Sequence, residues 1–486
     1  MPVLIAIIRT LAEMSTRSAV QRAREALLAP PKAPYGVTKE VPRIAELAIS
    51  ESSRPFLFDD DLPPHYTERE FTMSGVADYY DLARPGDWQL KRRKTAGFCT
   101  RLLVRAPSAE LFNGIVVVDW LNVTLQFDLD TEWVTQSEAI AAAGCAYVGV
   151  TAQRYGTQNL VRWNPQRYGG MHIWDDGLSY EIFSQTARAV RSNADQLLGL
   201  DVQKVIGVGA SQSAWRLTTY VNAFHPRDHA YDGYLLRGRG FGGTPLRGDG
   251  ILNGPKPAPI RADIDVPVMI VQNEGDLLAL QNIYDRQDDG PNLRIWEIPG
   301  SAHGSAQAGA RMMARAQAMG VTIPALGGSN PEDMNCMRSD VVSAQAYRAI
   351  VRWVATGEAP PSAPRIELSR DPGRPVPVWR RLDDTLIARD AHGNAKGGIR
   401  LPDIEVPLAR WYGATNENRL GGAAEPFSLD GVRSLYPTRD DYVSKVRTAC
   451  EALVQAGFID VDAANAFVRE AEEGPVPEAL PGWLAS

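Results

Sequence analysis

The most constraining feature of the chain is a short apolar strand that runs directly into a turn of small residues and then into a helical stretch, over residues 205–220. Gly209 stands two positions before Ser211, and Ser213 occupies the place where a second glycine is common. A serine on such a sharp strand-to-helix turn exposes its hydroxyl above a sheet, which is the geometry of a nucleophile elbow. An ordinary strand-to-helix connection shares this local pattern, so the interpretation depends on partner residues elsewhere in the chain.

A histidine is the first partner that this serine needs, because a serine hydroxyl is a poor nucleophile without a base in hydrogen-bond reach. In folds with this elbow, the acid and then the histidine follow the serine along the chain. Of the six histidines, only His303 and His392 come well after the elbow. His303 follows a predicted strand at 293–298, whereas His392 lies in a turn-rich cluster far downstream. This order predicts His303 as the base.

An acid that orients the histidine is expected where the preceding strand ends. That strand is predicted over residues 266–272, and it runs into a turn that carries two carboxylates, Glu274 and Asp276. The usual spacing between a strand and its following turn favours Asp276 as the acid, with Glu274 as a cap or a supporting contact. Glu274 stays open as the alternative acid.

An oxyanion hole of two backbone N–H groups completes this kind of site. One group comes from the residue after the nucleophile, here Gln212. The other comes from the exit of an earlier central strand, predicted over residues 114–121, which makes Leu121 or Asn122 the expected source.

Substrate-binding residues are predicted at the same end of the sheet. An aromatic and basic segment at 154–174 follows an early core strand, and from it Tyr155 and His172 are candidates for contact with a substrate carboxylate or ring. Trp120, at the exit of the strand that supplies the oxyanion hole, is a third candidate. The alternative is a core tryptophan beside a loop that its own aromatic residues stabilise.

The wider chain alternates strands and helices, which predicts an α/β fold with a doubly wound, mostly parallel sheet, preceded by short antiparallel strands from about residue 70. Ligands bind beyond the carboxyl ends of the strands in such a sheet. The further elements expected from apolar patterning are strands at 145–151, 203–209 and 231–237, and helices near 131–143, 179–198, 212–223, 339–357, 439–456 and 461–473.

Three regions are predicted from composition. An amphipathic helix is expected at 1–33, a core at 34–357 and a C-terminal extension packed on that core at 358–486. The boundary follows from the proline cluster at 360–364. A lid is predicted at 305–337, a segment rich in alanine, methionine and glycine directly after His303.

Composition narrows the classes of function. The net charge of −7 favours solubility and argues against a nucleic-acid partner, and the four scattered cysteines form no metal or disulfide pattern. No segment approaches the roughly 20 apolar residues of a membrane span, and Arg9 stops the N-terminal apolar run, so we expect a cytoplasmic protein. No cofactor or metal is expected, and the sequence does not indicate an oligomeric state.

Several stretches together resemble the bacterial "alpha/beta hydrolase domain" family, also labelled abhydrolase family 10, from about residue 70 onward. They lie at 119–123, 180–185, 209–214, 273–276 and 397–402. Family members often carry a glutamate at the position of Ala210, and this chain departs from that pattern. The resemblance implies the α/β-hydrolase fold and a serine hydrolase, and it leaves the physiological substrate open.

The expected chemistry is cleavage of a small-molecule carboxylic ester or lactone through an acyl-serine intermediate, with Ser211, His303 and Asp276 or Glu274 as the triad. The same triad could transfer the acyl group to an alcohol or amine, which makes an acyltransferase one alternative. A non-catalytic binding protein on the same fold is the other alternative. Thioesters and amides use the same machinery, and pocket shape decides among them.

Overall fold

A computed structural model describes residues 41–50, 53–84, 87–248, 250, 254–321, 334–377 and 380–474. The helix predicted at 1–33 lies outside these residues, as does the part of the predicted lid at 322–333.

A nine-stranded sheet forms the centre of the fold, in the order β1-β2-β3-β5-β4-β6-β7-β8-β9. The last six strands in that order, β5, β4, β6, β7, β8 and β9, run parallel to one another. The strands β1, β2 and β3 pair antiparallel with each other, and β3 pairs antiparallel with β5. The strands are β1 Arg43–Leu47, β2 Tyr66–Leu82, β3 Leu90–Pro107, β4 Ile115–Trp120, β5 Ala146–Val150, β6 Lys204–Ala210, β7 Gly233–Arg237, β8 Val268–Asn273 and β9 Leu293–Ile298. The predicted doubly wound, mostly parallel sheet with N-terminal antiparallel strands is therefore confirmed.

The central strands read as nearly continuous runs of valine, isoleucine and leucine because both faces of the sheet are covered. All of β4 and β5, for example, is buried. The N-terminal strands differ from the prediction of short strands. β2 and β3 form one long antiparallel hairpin of 17 and 18 residues, with a register shift between Asp78 and Tyr80. Runs of polar residues, such as 67–70 in β2 and 91–95 in β3, interrupt the apolar ones and hid the continuity of the hairpin from a search for apolar runs.

Helices pack on both faces of the sheet. They are α1 Thr131–Ala142, α2 Arg154–Trp163, α3 Pro165–Tyr168, α4 Ser179–Ser192, α5 Ala194–Leu197, α6 Gln212–Thr219, α7 His225–Asp228, α8 Glu274–Leu278, α9 Ala306–Ala318, α10 Asp340–Thr356, α11 Pro402–Glu405, α12 Leu429–Leu435, α13 Arg439–Gln455 and α14 Val461–Glu473. The helix predicted at 179–198 is interrupted at Asn193, and α6 continues as a π-helical turn over Tyr220–Phe224. None of the helices in the described residues is long and apolar enough to cross a membrane.

Two apolar clusters lie on the two faces of the sheet. The first packs α4 and α6 against the sheet, through residues such as Phe183 and Leu217. The second packs α1 and α10 against the other face and includes residues beyond position 358, among them Leu401 and Trp411 beside Trp296. The segment after the proline cluster also forms a small sheet of its own, β10 Ala409–Tyr412 with β11 Ala423–Pro426. The C-terminal residues are thus continuous with the apolar core.

Candidate active site

Ser211 occupies a backbone conformation that few residues adopt. It lies between β6 and α6 with φ 57° and ψ −118°, and its N–H donates to the carbonyl of Arg237 at 2.8 Å. Positive φ is costly for a residue with a Cβ and is found mostly where function requires it. The small neighbours are required by close packing, since a Cβ on Gly209 would lie 2.9 Å from the Cβ of Ser213. This turn lifts the Ser211 hydroxyl above the carboxyl end of the sheet.

His303 lies between the serine and an aspartate. It follows β9, and its Nε2 is 2.9 Å from Ser211 Oγ, while its Nδ1 is 2.5 Å from Asp276 Oδ1. With the Nδ1 proton donated to the carboxylate, Nε2 is free to accept the serine proton. The structure therefore brings together the three residues that the order along the chain predicts as a triad.

Asp276 is fixed by its own helix. It stands in the first turn of α8, is fully buried, and its second oxygen, Oδ2, accepts the N–H of Asn273 at 2.6 Å. This capping contact leaves Oδ1 facing His303. A carboxylate held at both oxygens keeps the imidazole in one tautomer and one orientation.

Glu274, the alternative acid, faces a different set of partners. Its Oε2 accepts the N–H of Gly300 at 2.7 Å, and its Oε1 pairs with Arg389 Nη2 at 2.9 Å. The carboxylate is fully buried and committed to the loop before His303 and to the C-terminal segment. Because both oxygens have these partners, the geometry favours Asp276 over Glu274 as the partner of the histidine.

The predicted oxyanion donors differ in whether their backbone N–H groups already have an acceptor. Gln212 begins α6, so its backbone N–H has no acceptor within the helix. The N–H of Leu121 donates to the carbonyl of Val150 at 3.2 Å, and the N–H of Asn122 donates to the carbonyl of Leu129 at 3.0 Å. The prediction of a second donor at Leu121 or Asn122 is therefore corrected, because backbone pairing at the exit of β4 already uses both groups.

A cavity of about 200 Å³ opens over Ser211 and His303. One part of its wall is apolar and is formed by Leu125, Leu129, Trp215, Phe241, Leu280 and Met312. Another part is polar and is formed by Thr131, Thr135, Gln136, Arg237, Ser339 and Asp340. Ala308 and Met312 belong to α9, so the described part of the predicted lid lines the cavity.

The three residues predicted to bind substrate lie away from this cavity. Trp120 is fully buried in the sheet core, where its Nε1 donates to Gln153 Oε1 at 3.1 Å. Tyr155 is buried in α2 and belongs to the same apolar cluster as Trp215, and the backbone of His172 pairs with Cys99. The segment at 154–174 is largely helical rather than a loop, and its aromatic rings are used in packing. Their predicted contact with substrate is thus corrected.

Comparison with known sequences settles the family. The sequence pattern described as "Alpha/beta hydrolase domain" matches residues 35–469. The chain belongs to this family. No curated protein matches the chain in sequence.

Among solved structures, three that resemble this alpha/beta hydrolase are distant. Esterase Est22 is 14% identical, with 58% of this chain and 81% of that chain covered and a TM-score of 0.32. A CE15 glucuronoyl esterase from Teredinibacter turnerae T7901 is 11% identical, with 70% and 84% covered and a TM-score of 0.32. A dienelactone hydrolase from Anabaena variabilis ATCC 29413 is 16% identical, with 50% and 96% covered and a TM-score of 0.28. These values are too low to transfer any property of those proteins to this chain.

A buried charge network supports the wall of the site in this alpha/beta hydrolase. Arg237 ends β7, lines the cavity and donates from Nε to Glu132 at 2.8 Å, and Tyr347 donates to the same carboxylate at 2.6 Å. Burial, reinforced by the negative charge of Glu132, raises the pKa of Asp119 well above its ordinary value. Tyr147 donates to Asp119 at 2.8 Å. The network holds Arg237 where its carbonyl receives the Ser211 N–H.

Sequence reasoning did not identify Arg237, which lines the cavity. The signal for Arg237 was available, because a polar residue that ends a parallel strand lies at the edge where ligands bind. Ala210, directly before Ser211, also lines the cavity.

One group of metal-type ligands occurs among the described residues, and it is separate from the triad. His225, His229 and Asp265 offer ligand atoms within 4.8 Å of one another. His225 already contacts Asp265 Oδ1 at 2.7 Å and the hydroxyl of Tyr234 at 2.8 Å. These hydrogen bonds of His225 explain why the three side chains lie together at the end of α7.

Proposed function

We propose that this chain is a serine hydrolase that cleaves carboxylic esters through an acyl-serine intermediate. The observation that carries the proposal is the continuous contact from Ser211 Oγ through His303 to Asp276, at the floor of a partly apolar cavity. Membership of the alpha/beta hydrolase domain family supports the same chemistry.

In the first step, the Ser211 hydroxyl attacks the ester carbonyl carbon while His303 Nε2 takes its proton. The carbonyl π electrons move to oxygen, and the resulting oxyanion accepts a hydrogen bond from the N–H of Gln212. Collapse of this intermediate expels the alcohol, which receives the proton from His303. Asp276 stabilises the imidazolium that exists between these two transfers.

In the second step, water replaces the alcohol. His303 removes a proton from the water as the water attacks the acyl carbon, a second oxyanion forms and collapses, and the proton returns to Ser211. The acid product leaves. An ester is the proposed substrate class, and a lactone follows the same steps with its alcohol still attached to the acyl group.

The cavity favours a small substrate. At about 200 Å³ it suits a short acyl chain or a compact alcohol, and the apolar wall from Leu125 to Met312 would cover that group. Met312 lines the cavity, whereas Met319 packs in a separate cluster with Phe56 and Leu57.

A fluorophosphonate probe, followed by mass spectrometry of the labelled peptide, tests the proposal. We expect covalent labelling on Ser211, its loss in Ser211→Ala, and strongly slowed labelling in His303→Ala. The matched control is Ser213→Ala, because Ser213 is fully buried two residues away and has no hydrogen-bond partner for its hydroxyl among the described residues. This variant should label like the wild type.

The alternatives give different results. An acyltransferase would label at Ser211 but would transfer the acyl group of a p-nitrophenyl ester to added alcohols faster than to water. A non-catalytic binding protein would fold normally, show no labelling and release no p-nitrophenol. Either result would overturn the proposal of a hydrolase.

A further inference from the structure

The oxyanion hole of the proposed reaction lacks its usual second donor. An oxyanion is normally held by two N–H groups, and the exit of β4 is the usual source of the second. At this exit the N–H groups of Leu121 and Asn122 are both paired with backbone carbonyls. The next two are used as well, since Val123 donates to Gln212 Oε1 and Thr124 donates to Asn122 Oδ1. No backbone donor from residues 121–124 is left for an oxyanion.

The side chain of Gln212 offers a donor at the same place. Its Oε1 accepts the Val123 N–H at 3.1 Å, which fixes the orientation of the amide, because only the oxygen can accept that hydrogen bond. The amide nitrogen Nε2 is buried and has no hydrogen-bond partner among the described residues. Gln212 lines the cavity, and it is the residue directly after Ser211.

A buried amide donor without an acceptor is unfavourable, and native structures rarely keep one unless it serves a purpose. An oxygen that gains negative charge during the reaction would supply the missing acceptor. The donor would then contribute most when the charge develops, which is the requirement for stabilising a transition state rather than the substrate. The contact from Val123 would hold the amide in advance.

We propose that the side-chain amide of Gln212 is the second oxyanion donor, beside the backbone N–H of the same residue. The inference rests on the proposed serine hydrolase function. As Ser211 Oγ bonds to the carbonyl carbon, the carbonyl electron pair moves to oxygen, and the oxygen accepts both N–H groups without taking either proton. When the carbonyl re-forms and the alcohol leaves with the proton from His303, both hydrogen bonds weaken.

Two substitutions of Gln212 test the donor in the full chain. Gln212→Met keeps the length and removes the amide, and Gln212→Glu keeps an oxygen for Val123 but replaces the donor with an acceptor. With p-nitrophenyl acetate we expect kcat to fall by about 10²–10³-fold in Gln212→Met, with KM changed less than about threefold, and to fall at least as far in Gln212→Glu. Inhibition by an alkyl trifluoromethyl ketone, which forms an oxyanion on the serine, should weaken in the same proportion.

Two further variants separate this role from its rivals. Gln185→Met is the matched control, because Gln185 is also a buried glutamine but donates to the carbonyl of Val76 far from the cavity. It should retain kcat and the inhibitor affinity even if its melting temperature falls. Trp215→Phe tests another donor on α6 for which no hydrogen-bond acceptor is found among the described residues, the indole N–H of a residue that also lines the cavity. Because Trp215 is part of the apolar wall, we expect KM to change, but kcat and inhibition by the ketone to weaken much less than in Gln212→Met.

The outcomes distinguish this inference from the proposed function. If wild-type Ser211 is labelled by the fluorophosphonate but Gln212→Met keeps kcat within tenfold and binds the ketone normally, the side-chain donor is wrong and the hydrolase stands. If Trp215→Phe instead loses both properties, the second donor is the indole and the assignment to Gln212 is overturned. If the wild type is not labelled, the hydrolase proposal fails and this inference fails with it.

Discussion

Glu274 and Asp276 lie two residues apart in one helical turn, and their carboxylates have different partners. Residues separated by two positions do not share a face of a helix, so Asp276 and Glu274 point in different directions from the start of α8. Asp276 reaches the imidazole of His303, and Glu274 reaches Arg389 and the backbone of Gly300. One carboxylate therefore acts on the histidine, while the other ties the loop in front of it to the C-terminal segment.

These different partners predict different effects of removing each charge. Asp276→Asn keeps the side-chain shape but cannot hold the required tautomer, so we expect kcat for p-nitrophenyl acetate to fall by about 10⁴-fold with the melting temperature nearly unchanged. Glu274→Gln should lower the melting temperature, because it leaves Arg389 without its partner carboxylate, and should lower kcat by less than about tenfold. Steady-state kinetics and thermal denaturation of both variants provide the measurements. A larger loss of kcat in Glu274→Gln would identify Glu274 as the acid.

At the same scale, the sequence could predict Ser211, His303 and the pair of acids, because strand ends and the order along the chain restrict those positions. The spacing favoured Asp276 and left Glu274 open, since Arg389, the partner of Glu274, comes from a segment that no local pattern links to the turn. Likewise, spacing indicated that Leu121 could supply an oxyanion donor. The structure excludes this donor, because the N–H of Leu121 donates to the carbonyl of Val150 on a neighbouring strand.

Among the elements, the short helix α11 carries a partly buried acid outside the candidate active site. Asp403 lies near Arg338, Glu470 and Asp340, and its Oδ2 is buried without a hydrogen-bond partner among the described residues. Arg338 is paired with Glu470 at 3.2 Å. Burial, with Glu470 and Asp340 adding to it and Arg338 opposing it, raises the pKa of Asp403 to about 6.

This raised pKa makes stability depend on pH. An unfolded aspartate has a pKa of about 3.9, so the folded chain binds this proton more tightly between about pH 4 and pH 6, and the folded state loses stability as pH rises through that range. Asp403→Asn removes the charge, and we expect it to exceed the wild type in free energy of unfolding by up to about 3 kcal/mol near pH 8. The difference should shrink toward pH 4. Urea denaturation at both pH values measures it, and an equal difference at the two would contradict the assignment.

Some element boundaries follow from the local sequence, and others depend on packing with distant residues. The parallel strands β4 to β9 were predictable within two residues because burial on both faces makes each a continuous apolar run. The 17- and 18-residue hairpin of β2 and β3 was not, because its length comes from pairing of the two strands with each other. The break at Asn193 and the π-helical turn after α6 also arise from packing that a helical pattern does not record.

Across the whole molecule, the segment beyond the proline cluster contributes to the same apolar core as the sheet. Trp296 and Ile298 from β9 share one cluster with Leu401 and Trp411. The N–H of Ile399 also donates to the carbonyl of Glu297 at 2.8 Å. The boundary predicted at 358 follows a change in composition, and composition does not reveal how much apolar surface crosses it.

This shared core predicts a single unfolding event. We expect differential scanning calorimetry to show one transition, with fluorescence and far-ultraviolet circular dichroism giving the same midpoint, because one apolar cluster contains residues from both segments. Two separated transitions, or different midpoints by the two optical probes, would mean that the C-terminal extension unfolds independently of the sheet.

The contacts around His303 have a consequence for protein synthesis. Ser211, Asp276 and His303 leave the ribosome before Arg389, which pairs with Glu274, and before Leu420, whose carbonyl accepts the N–H of Gly304. A nascent chain that has already exposed all three residues of the proposed triad therefore still lacks the supports of the two loops that carry Asp276 and His303. The geometry of the proposed triad is completed late in translation, so we expect a chain that ends before residue 389 to lack the proposed activity.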